Sequence, residues 1–262
     1  MAILETQGLT KDFKGLRALD NVDMEVQENE ILGLVGPNGS GKTSWINVVT
    51  GFIKPTEGSV LFEGRPISGA KPYEVAKMGM IRTFQLTSLF GNLTMNGNII
   101  IGGFLKRRNV SLVYSFVHNI FHSRSYRSEE IELYQKTAEI LRLVGLEAST
   151  DVLASNMPTV DQRKLEIAIA LAAEPKLLLL DEPAAGMNPE ETTRLMSTIR
   201  AIQQEGITVV VVEHNMKVIM GLCNRIMVLN YGVKIADGTP EEIRRDERVI
   251  ECYLGKREYA QN

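Results

Sequence analysis

The chain has 262 residues, a length that fits one α/β domain with a subdomain inserted into it. Hydrophobic residues make up 44% of the chain, which is enough for a packed core and excludes global disorder. The formal net charge of −3 counts against a general nucleic-acid binder, because such proteins carry an excess of basic residues.

The first predicted elements form an antiparallel sheet. Leu4–Leu9 and the alternating segment Val22–Val26 are predicted to lie in a sheet of their own. Ile31–Val35 follows as a continuous apolar run, which is typical of a buried parallel strand. After a glycine-rich segment, a helix is predicted at Thr43–Thr50.

The rest of the chain alternates between strands and helices, which indicates an α/β fold. Further strands are predicted at Ser59–Phe62, Met80–Phe84, Leu177–Leu180, Ile207–Val212, Arg225–Leu229 and Val233–Ala236, the last two as an antiparallel pair. Further helices are predicted at Glu129–Val144, Gln162–Ala172, Pro189–Glu205 and Asn215–Leu222.

The alternation is interrupted between residues 86 and 157, where no buried strand is evident and Glu129–Val144 is amphipathic. We therefore predict one domain over residues 1–262. Its core, residues 1–85 and 174–262, contains a mainly parallel sheet and an N-terminal antiparallel β subdomain, and residues 86–173 form an inserted helical subdomain.

Cysteine content and hydropathy bear on the compartment in which the chain works. Cys223 and Cys252 lie far apart without a CxxC pair, which predicts a reducing compartment and neither a disulfide framework nor a zinc site. Residues 1–5 lack the basic segment of a signal peptide, and no apolar run approaches the roughly 18 residues that span a bilayer. We expect a cytoplasmic protein that reaches a membrane only through partners.

The glycine-rich segment matches the P-loop pattern and lies between a predicted strand and a predicted helix. Its glycines allow backbone N–H groups to converge on phosphate oxygens at the start of a helix. Lys42 is predicted to reach the β- and γ-phosphates, and the Thr43 hydroxyl to bind Mg²⁺. The candidate ATP-binding residues of this segment are Gly36, Pro37, Asn38, Gly39, Ser40, Gly41, Lys42 and Thr43.

Two acids follow the strand Leu177–Leu180 at its carboxyl end. Asp181 is predicted to hold Mg²⁺, generally through its water shell, and Glu182 to polarise the water that attacks ATP. An isolated Asp-Glu pair is often only a solvated strand end. The P-loop upstream favours the catalytic interpretation here.

Three further residues are candidates by position. Gln85 and His214 each follow a predicted buried strand, at the edge where α/β sheets bind ligands. Phe13 is placed in a loop before the glycine-rich segment, where it either stacks on adenine or packs in the core.

The order of these motifs resembles that of ABC transporter ATPases over essentially the whole chain. The resemblance implies a P-loop NTPase fold of the ABC cassette type that binds ATP and Mg²⁺. It implies that Gln85 is the Q-loop glutamine, a catalytic and metal-binding residue, that Glu182 is the catalytic glutamate and that His214 is the switch histidine.

Several segments resemble one subgroup of that family, which serves branched-chain amino acid uptake. They are Ala184–Pro189 at the D-loop, Asp161–Ala168 after the signature, and the C-terminal segments Asp237–Ile243 and Tyr253–Gly255. The signature region, which should contact ATP held by a partner subunit, falls at Met157, Pro158, Thr159, Val160 and Asp161. Val160 replaces the glycine that the family keeps there.

The resemblance implies an importer with several components. These are a second ABC ATPase subunit, identical or different, two integral membrane permease subunits and an extracytoplasmic solute-binding protein, without nucleic acid. The chain would lie on the inner face of the cell membrane, bound to the permease. Two alternatives stay open. One is a soluble ABC ATPase that is not part of a transporter. The other, suggested by Val160, is a nucleotide-binding regulatory subunit with little turnover.

Overall fold

The computed structural model describes residues 1–83, 89–103, 124–147 and 151–254. These residues belong to two compact units, one of residues 1–85 and 176–262 and the other of residues 86–175. The treatment of the chain as a single domain with a helical subdomain at residues 86–173 remains a prediction.

A six-stranded sheet forms the centre of the first unit, in the order β10-β9-β3-β8-β7-β6. All neighbours are parallel except β9 and β10, which form the predicted antiparallel pair. Its strands are β3 (Ile31–Val35), β6 (Met80–Arg82), β7 (Leu177–Asp181), β8 (Thr208–Val212), β9 (Arg225–Asn230) and β10 (Val233–Gly238). Strands β3, β7 and β8 are buried along their whole length, as their continuous apolar runs predict.

A second, four-stranded antiparallel sheet has the order β2-β1-β4-β5. It consists of β1 (Ala2–Phe13), β2 (Leu16–Gln27), β4 (Glu57–Phe62) and β5 (Arg65–Pro66). The prediction of a separate antiparallel sheet is confirmed, but the strand bounds were too short. Register shifts along the β1–β2 pair break the alternation of inward and outward side chains, so the sequence pattern does not extend over the whole strands.

Nine α-helices are found among the described residues, with a short 3₁₀ helix at Ala154–Asn156. They are α1 (Lys42–Val49), α2 (Pro72–Met78), α3 (Met95–Gly102), α4 (Arg124–Val144), α5 (Thr159–Ala172), α6 (Pro189–Gln204), α7 (Met216–Leu222), α8 (Pro240–Arg245) and α9 (Glu247–Leu254).

Helix bounds differ from the prediction mainly at two N-termini. Helix α4 begins at Arg124, ahead of the predicted start at Glu129. Helix α5 begins at Thr159, three residues before the predicted start at Gln162, because Pro158 occupies the N-cap and the polar residues after it form the first helical turn. The prediction also missed α2, α3, α8 and α9. These helices have six to eight residues each, too few for a helical period to stand out.

The core of the first unit joins the two sheets through α1. Trp45 and Ile46 of α1 are fully buried in one cluster with Leu4 and Phe62 of the antiparallel sheet and Leu34 of the parallel sheet. The buried face of α1 is thus packed against both sheets. This packing holds in place the glycine-rich segment that precedes the helix. In the second unit, α3 and α4 both pack against α5.

Candidate functional site

The glycine-rich segment leaves the carboxyl end of β3 and leads into α1, as the P-loop pattern predicts. Two of its glycines are required by contact and conformation. A Cβ at Gly36 would overlap the carbonyl oxygen of Leu229, and one at Gly41 would lie 2.6 Å from the carbonyl oxygen of Ala18. Gly41 also has a φ of 106°, which disfavours other residues. The segment is therefore pressed against β2 and β9, and only glycine fits at either position.

The turn between β9 and β10 supports the glycine-rich segment from behind. The N–H of Gly232 donates to the carbonyl oxygen of Ser40 over 3.0 Å, and the N–H of Asp20 donates to the carbonyl oxygen of Gly232 over 2.9 Å. These bonds connect the segment to both sheets through its backbone, so its shape does not depend on a bound ligand alone.

Lys42 is buried, and its ammonium group donates to the carbonyl oxygens of Gly36 at 2.7 Å and Pro37 at 3.0 Å. Burial lowers the pKa of the Lys42 amine, while the carboxylates of Glu182 and Asp181 act in the opposite direction. The Lys42 ammonium and the carboxylates of Asp181 and Glu182, at the end of β7, therefore influence one another electrostatically.

The two acids differ in their surroundings. Asp181 ends the buried strand β7 and is itself buried. Glu182 follows with a φ of 47°, a left-handed conformation that is uncommon for residues other than glycine, and its N–H donates to the carbonyl oxygen of Val212 over 2.8 Å. Glu182 is also more exposed than Asp181, so the two carboxylates have different surroundings, which suits two different tasks.

His214 comes to the same place from the neighbouring strand β8. Its Nδ1 lies 3.5 Å from Oε1 of Glu182 and 3.9 Å from Oε2 of Glu213, and more than half of its side chain is exposed. The structure thus brings together Glu182 and His214, which the sequence predicted as separate strand-end candidates.

Glu213 is a residue that the sequence analysis did not single out. Its buried carboxylate accepts the N–H of Ala184 at Oε1 over 3.0 Å and the N–H of His214 at Oε2 over 3.2 Å. Burial raises the pKa of Glu213, and the N–H groups of Ala184, Asn215 and His214 act against that rise. One carboxylate therefore connects the segment after Glu182 with the segment that carries His214. An acid directly after a fully buried run of valines was the available signal, because such a group needs partners.

We expect Glu213→Gln to weaken this connection. An amide offers one acceptor oxygen, and its NH₂ group would face a backbone N–H donor, so the free energy of unfolding should fall by about 1–3 kcal/mol. Urea unfolding of the full chain measures this, with the exposed Glu205→Gln as a matched control. Equal stability of the two variants would show that the carboxylate does not hold these segments together.

Phe13 does not lie in a loop, contrary to the prediction. It is the last residue of β1, because β1 and β2 continue to a tight turn, and its side chain is 41% exposed with the Lys11 ammonium 5.1 Å from the ring centre. This excludes the core alternative. Gln85 lies outside the described residues.

Oxygen donors suited to Mg²⁺ are present among the described residues. Thr43, in the first turn of α1, is exposed, and Asp181 supplies a carboxylate. Within the described part of the chain, no group of three or more His, Cys, Asp or Glu residues could hold a metal ion by itself. Mg²⁺ fits such a setting, since it binds through one or two protein oxygens and completes its shell with phosphate and water.

The predicted signature region belongs to the second unit. Met157 is buried and Pro158 caps α5, while Thr159, Val160 and Asp161 form its first turn. Val160 has a helical conformation, which valine accepts, and the geometry of a helix start leaves its N–H without a partner inside the helix.

A P-loop between a parallel strand and a helix, with two acids and a histidine at the ends of β7 and β8, defines an ATPase of the ATP-binding-cassette class. The ABC transporter family matches residues 19–185, and the family described as branched-chain amino acid ATP-binding cassette transporter matches residues 233–259. The chain belongs to the ABC transporter family, as an ATP-binding subunit with ATPase activity coupled to transport.

Named relatives agree with this assignment. The high-affinity branched-chain amino acid transport ATP-binding protein LivG of Salmonella typhimurium is 39% identical over 255 residues, which cover 97% of this chain and 98% of LivG. The ADP conformation of the ATP-binding cassette MJ1267 has a TM-score of 0.83 at 30% identity, covering 98% of this chain and 100% of that one. A dimeric structure of the cassette MJ0796 has a TM-score of 0.74 at 26% identity, covering 90% and 98%. The predicted fold class is thereby confirmed.

Proposed function

We propose that this chain binds ATP on its P-loop and hydrolyses it with Glu182 and His214, to energise an importer of branched-chain amino acids or other small polar solutes. The observation that carries the proposal is the 3.5 Å approach of His214 Nδ1 to Glu182 Oε1 at the ends of two adjacent strands. A site that only bound nucleotide would need neither group.

Each residue has a distinct task in the proposed reaction. Lys42 exchanges its contacts with the loop carbonyls for phosphate oxygens, and the N–H groups of the loop surround the phosphates. Glu182 accepts a proton from the water that attacks the γ-phosphate, and His214 orients that carboxylate and contacts the γ-phosphate. Residues Gly36 to Thr43 form the ATP-binding loop, and the exposed ring of Phe13 is available to stack on adenine.

Thr43 and Asp181 would hold Mg²⁺, together with Gln85 from outside the described residues. The bound cation would neutralise charge on the phosphate oxygens. The chain itself contributes the Asp181 carboxylate at the end of β7 and the Thr43 hydroxyl at the start of α1.

The proposed assembly follows from the family. A second ABC ATPase subunit would supply the signature that faces Lys42, and the dimeric MJ0796 supports such pairing. Two permease subunits would hold the pair at the inner face of the membrane, since none of the described helices is long and apolar enough to cross a bilayer. An extracytoplasmic solute-binding protein completes the system, and the name of LivG supports branched-chain amino acids as its solutes.

One experiment separates this proposal from the alternatives. ATP turnover is measured for the purified chain alone and for the chain assembled with its permease and the binding protein loaded with leucine. We expect turnover to rise on assembly and again with leucine. Turnover that the permease does not alter would indicate a non-transport ATPase, and absence of turnover in both states would indicate a regulatory subunit. The match to transporter subunits does not favour either alternative.

We expect Val160→Gly to speed hydrolysis several-fold at the composite site that faces position 160, because the branched Cβ crowds the approach of α5 to a γ-phosphate. Single-turnover hydrolysis in the assembled transporter, resolved for each site, measures this. Val160→Ala removes the branch without giving the helix a glycine, so it serves as the matched variant.

In a heterodimer only the site facing residue 160 should respond, whereas in a homodimer both sites should. An unchanged rate at that site in both variants would mean that the valine is tolerated and that the two sites need not differ.

A further inference from the structure

A buried arginine holds the acid at the end of β7. Arg82, the last residue of β6, donates from its NH2 group to Oδ2 of Asp181 over 2.8 Å. The two side chains are only 9% and 8% exposed. Removing two such charges from water is costly unless the pair has good geometry and the other polar atoms have partners.

The same guanidinium group makes a second contact across the site. Its NH1 group donates to Oδ1 of Asn47 on α1 over 2.6 Å, and its Cζ atom lies 5.9 Å from the ring centre of Phe52. Asn47 comes four residues after Thr43, one helical turn along the same face of α1. Arg82 therefore connects Asp181, the last residue of β7, to the helix that carries the candidate metal-binding hydroxyl of Thr43.

The geometry leaves Asp181 little freedom. Its Oδ2 is used by Arg82, and its backbone is fixed by the pairing of Asp181 with Val212 in the parallel sheet. This ion pair restricts rotation of the carboxylate, and it is made at Oδ2 and not at Oδ1. The planar guanidinium of arginine can hold the carboxylate while it also contacts Asn47. The ammonium group of a lysine would supply only a point charge on a flexible side chain.

We propose that Arg82 is a positioning residue for the cation that accompanies the nucleotide. It fixes the Asp181 carboxylate so that Oδ1 is presented to the hydrated metal ion, and it keeps this acid in register with α1 through Asn47. The inference rests on the proposed metal-binding role of Asp181. It assigns no contact between Arg82 and the nucleotide.

The alternative is that Arg82 and Asp181 form an ion pair that only stabilises the fold. That role would change the unfolding midpoint and leave the metal affinity of the folded protein as it is. Groups that orient a metal ligand act differently, since their loss typically lowers metal affinity or activity by about 10–100-fold. Metal affinity of the folded chain is therefore the deciding quantity.

The test titrates the full-length chain with Mn²⁺ in the presence of saturating ADP and follows free Mn²⁺ by electron paramagnetic resonance. Arg82→Met removes the guanidinium and retains much of its volume. We expect its Mn²⁺ affinity to fall by about 10–100-fold. ADP affinity measured with EDTA should stay within about twofold of wild type, because Asp181, Asn47 and Phe52, the contacts of Arg82 described above, lie outside the P-loop. Wild-type Mn²⁺ affinity in Arg82→Met would overturn the inference.

Two matched variants keep the test decisive. Asn47→Ala removes one partner of Arg82 without leaving Asp181 unpaired, and it should lower Mn²⁺ affinity in the same direction by a smaller factor. If Arg82→Met does not fold, Asn47→Ala and Arg82→Lys decide, and normal affinity in both would overturn the inference.

Asp181→Asn is the reference for the proposed function itself. A normal Mn²⁺ affinity in Asp181→Asn would overturn the metal role of Asp181, and the inference with it. Lowered affinity in Asp181→Asn with normal affinity in Arg82→Met would remove the inference and leave the proposed function standing.

Discussion

Glu182→Gln should preserve ATP binding and lower ATP turnover by about 10²–10⁴-fold, the usual contribution of a general base. The amide has the shape of the carboxylate but accepts a proton from water far less readily. Its NH₂ group would also stand opposite Nδ1 of His214, which lies 3.5 Å from Oε1 of Glu182 in the native site. The measurement is steady-state ATP turnover of the assembled transporter, with nucleotide affinity determined separately by fluorescence titration.

The matched control is Glu205→Gln, an identical change at an exposed position after α6, which should turn over ATP like wild type. If Glu182→Gln retained most of the activity in an assembly that is otherwise active, the general base would have to be another group. Retained ATP affinity is part of the expectation, so a variant that no longer binds nucleotide would count against a purely catalytic role.

Lys42→Ala should lower ATP affinity by about 10–100-fold, because a hydrogen bond to a charged group contributes about 1.5–3 kcal/mol. Lys42 is buried close to the P-loop carbonyls and within the field of Asp181 and Glu182. Without the Lys42 ammonium, the γ-phosphate of bound ATP would be repelled by the carboxylates of Asp181 and Glu182. Titration of the purified chain with a fluorescent ATP analogue measures the loss.

Lys77→Ala, an exposed lysine on α2, tests whether loss of one positive charge anywhere weakens binding. We expect its ATP affinity to match wild type, since Lys77 is exposed and dissolved salt screens exposed charges. If Lys42→Ala bound ATP as tightly as wild type, the backbone N–H groups of the loop would be sufficient for nucleotide binding.

Much of the fold follows from local sequence patterns. Ile31–Val35 is buried at every position and was predicted with the bounds that the structure shows, because a central parallel strand must be apolar on both faces. The bounds of β1 and β2 were missed, since bulges remove the alternation on which the prediction depended.

The site was predictable where a residue acts from its own strand end. Glu182 and His214 each follow a buried run, and the parallel pairing of β7 with β8 brings those ends together. Arg82 was not predictable, because its partners Asp181 and Asn47 lie 99 and 35 residues away along the chain. Glu213 offered one signal, its position directly after a buried run of valines, but its partner Ala184 lies 29 residues away. Only the folded arrangement shows that these charges are buried and which group compensates each of them.

The support of the P-loop by the β9–β10 turn has a practical consequence for attaching reporters to this protein. Tyr231 is 85% exposed, and a solvent-facing hairpin tip is an obvious place for an epitope or a fluorescent domain. Yet Tyr231 and Gly232 both have positive φ, as two-residue hairpin turns require, and the N–H of Gly232 holds the Ser40 carbonyl.

An insertion at this tip would lengthen the turn, withdraw that N–H and loosen the nucleotide loop from a distance. The turn at Gly206, between α6 and β8, is a safer choice. It is exposed with open space around it, and an insertion after Gly206 would keep the glycine that its φ of 86° favours. Exposure alone therefore does not identify the surface positions at which this ATPase can be labelled without cost to its affinity for nucleotide.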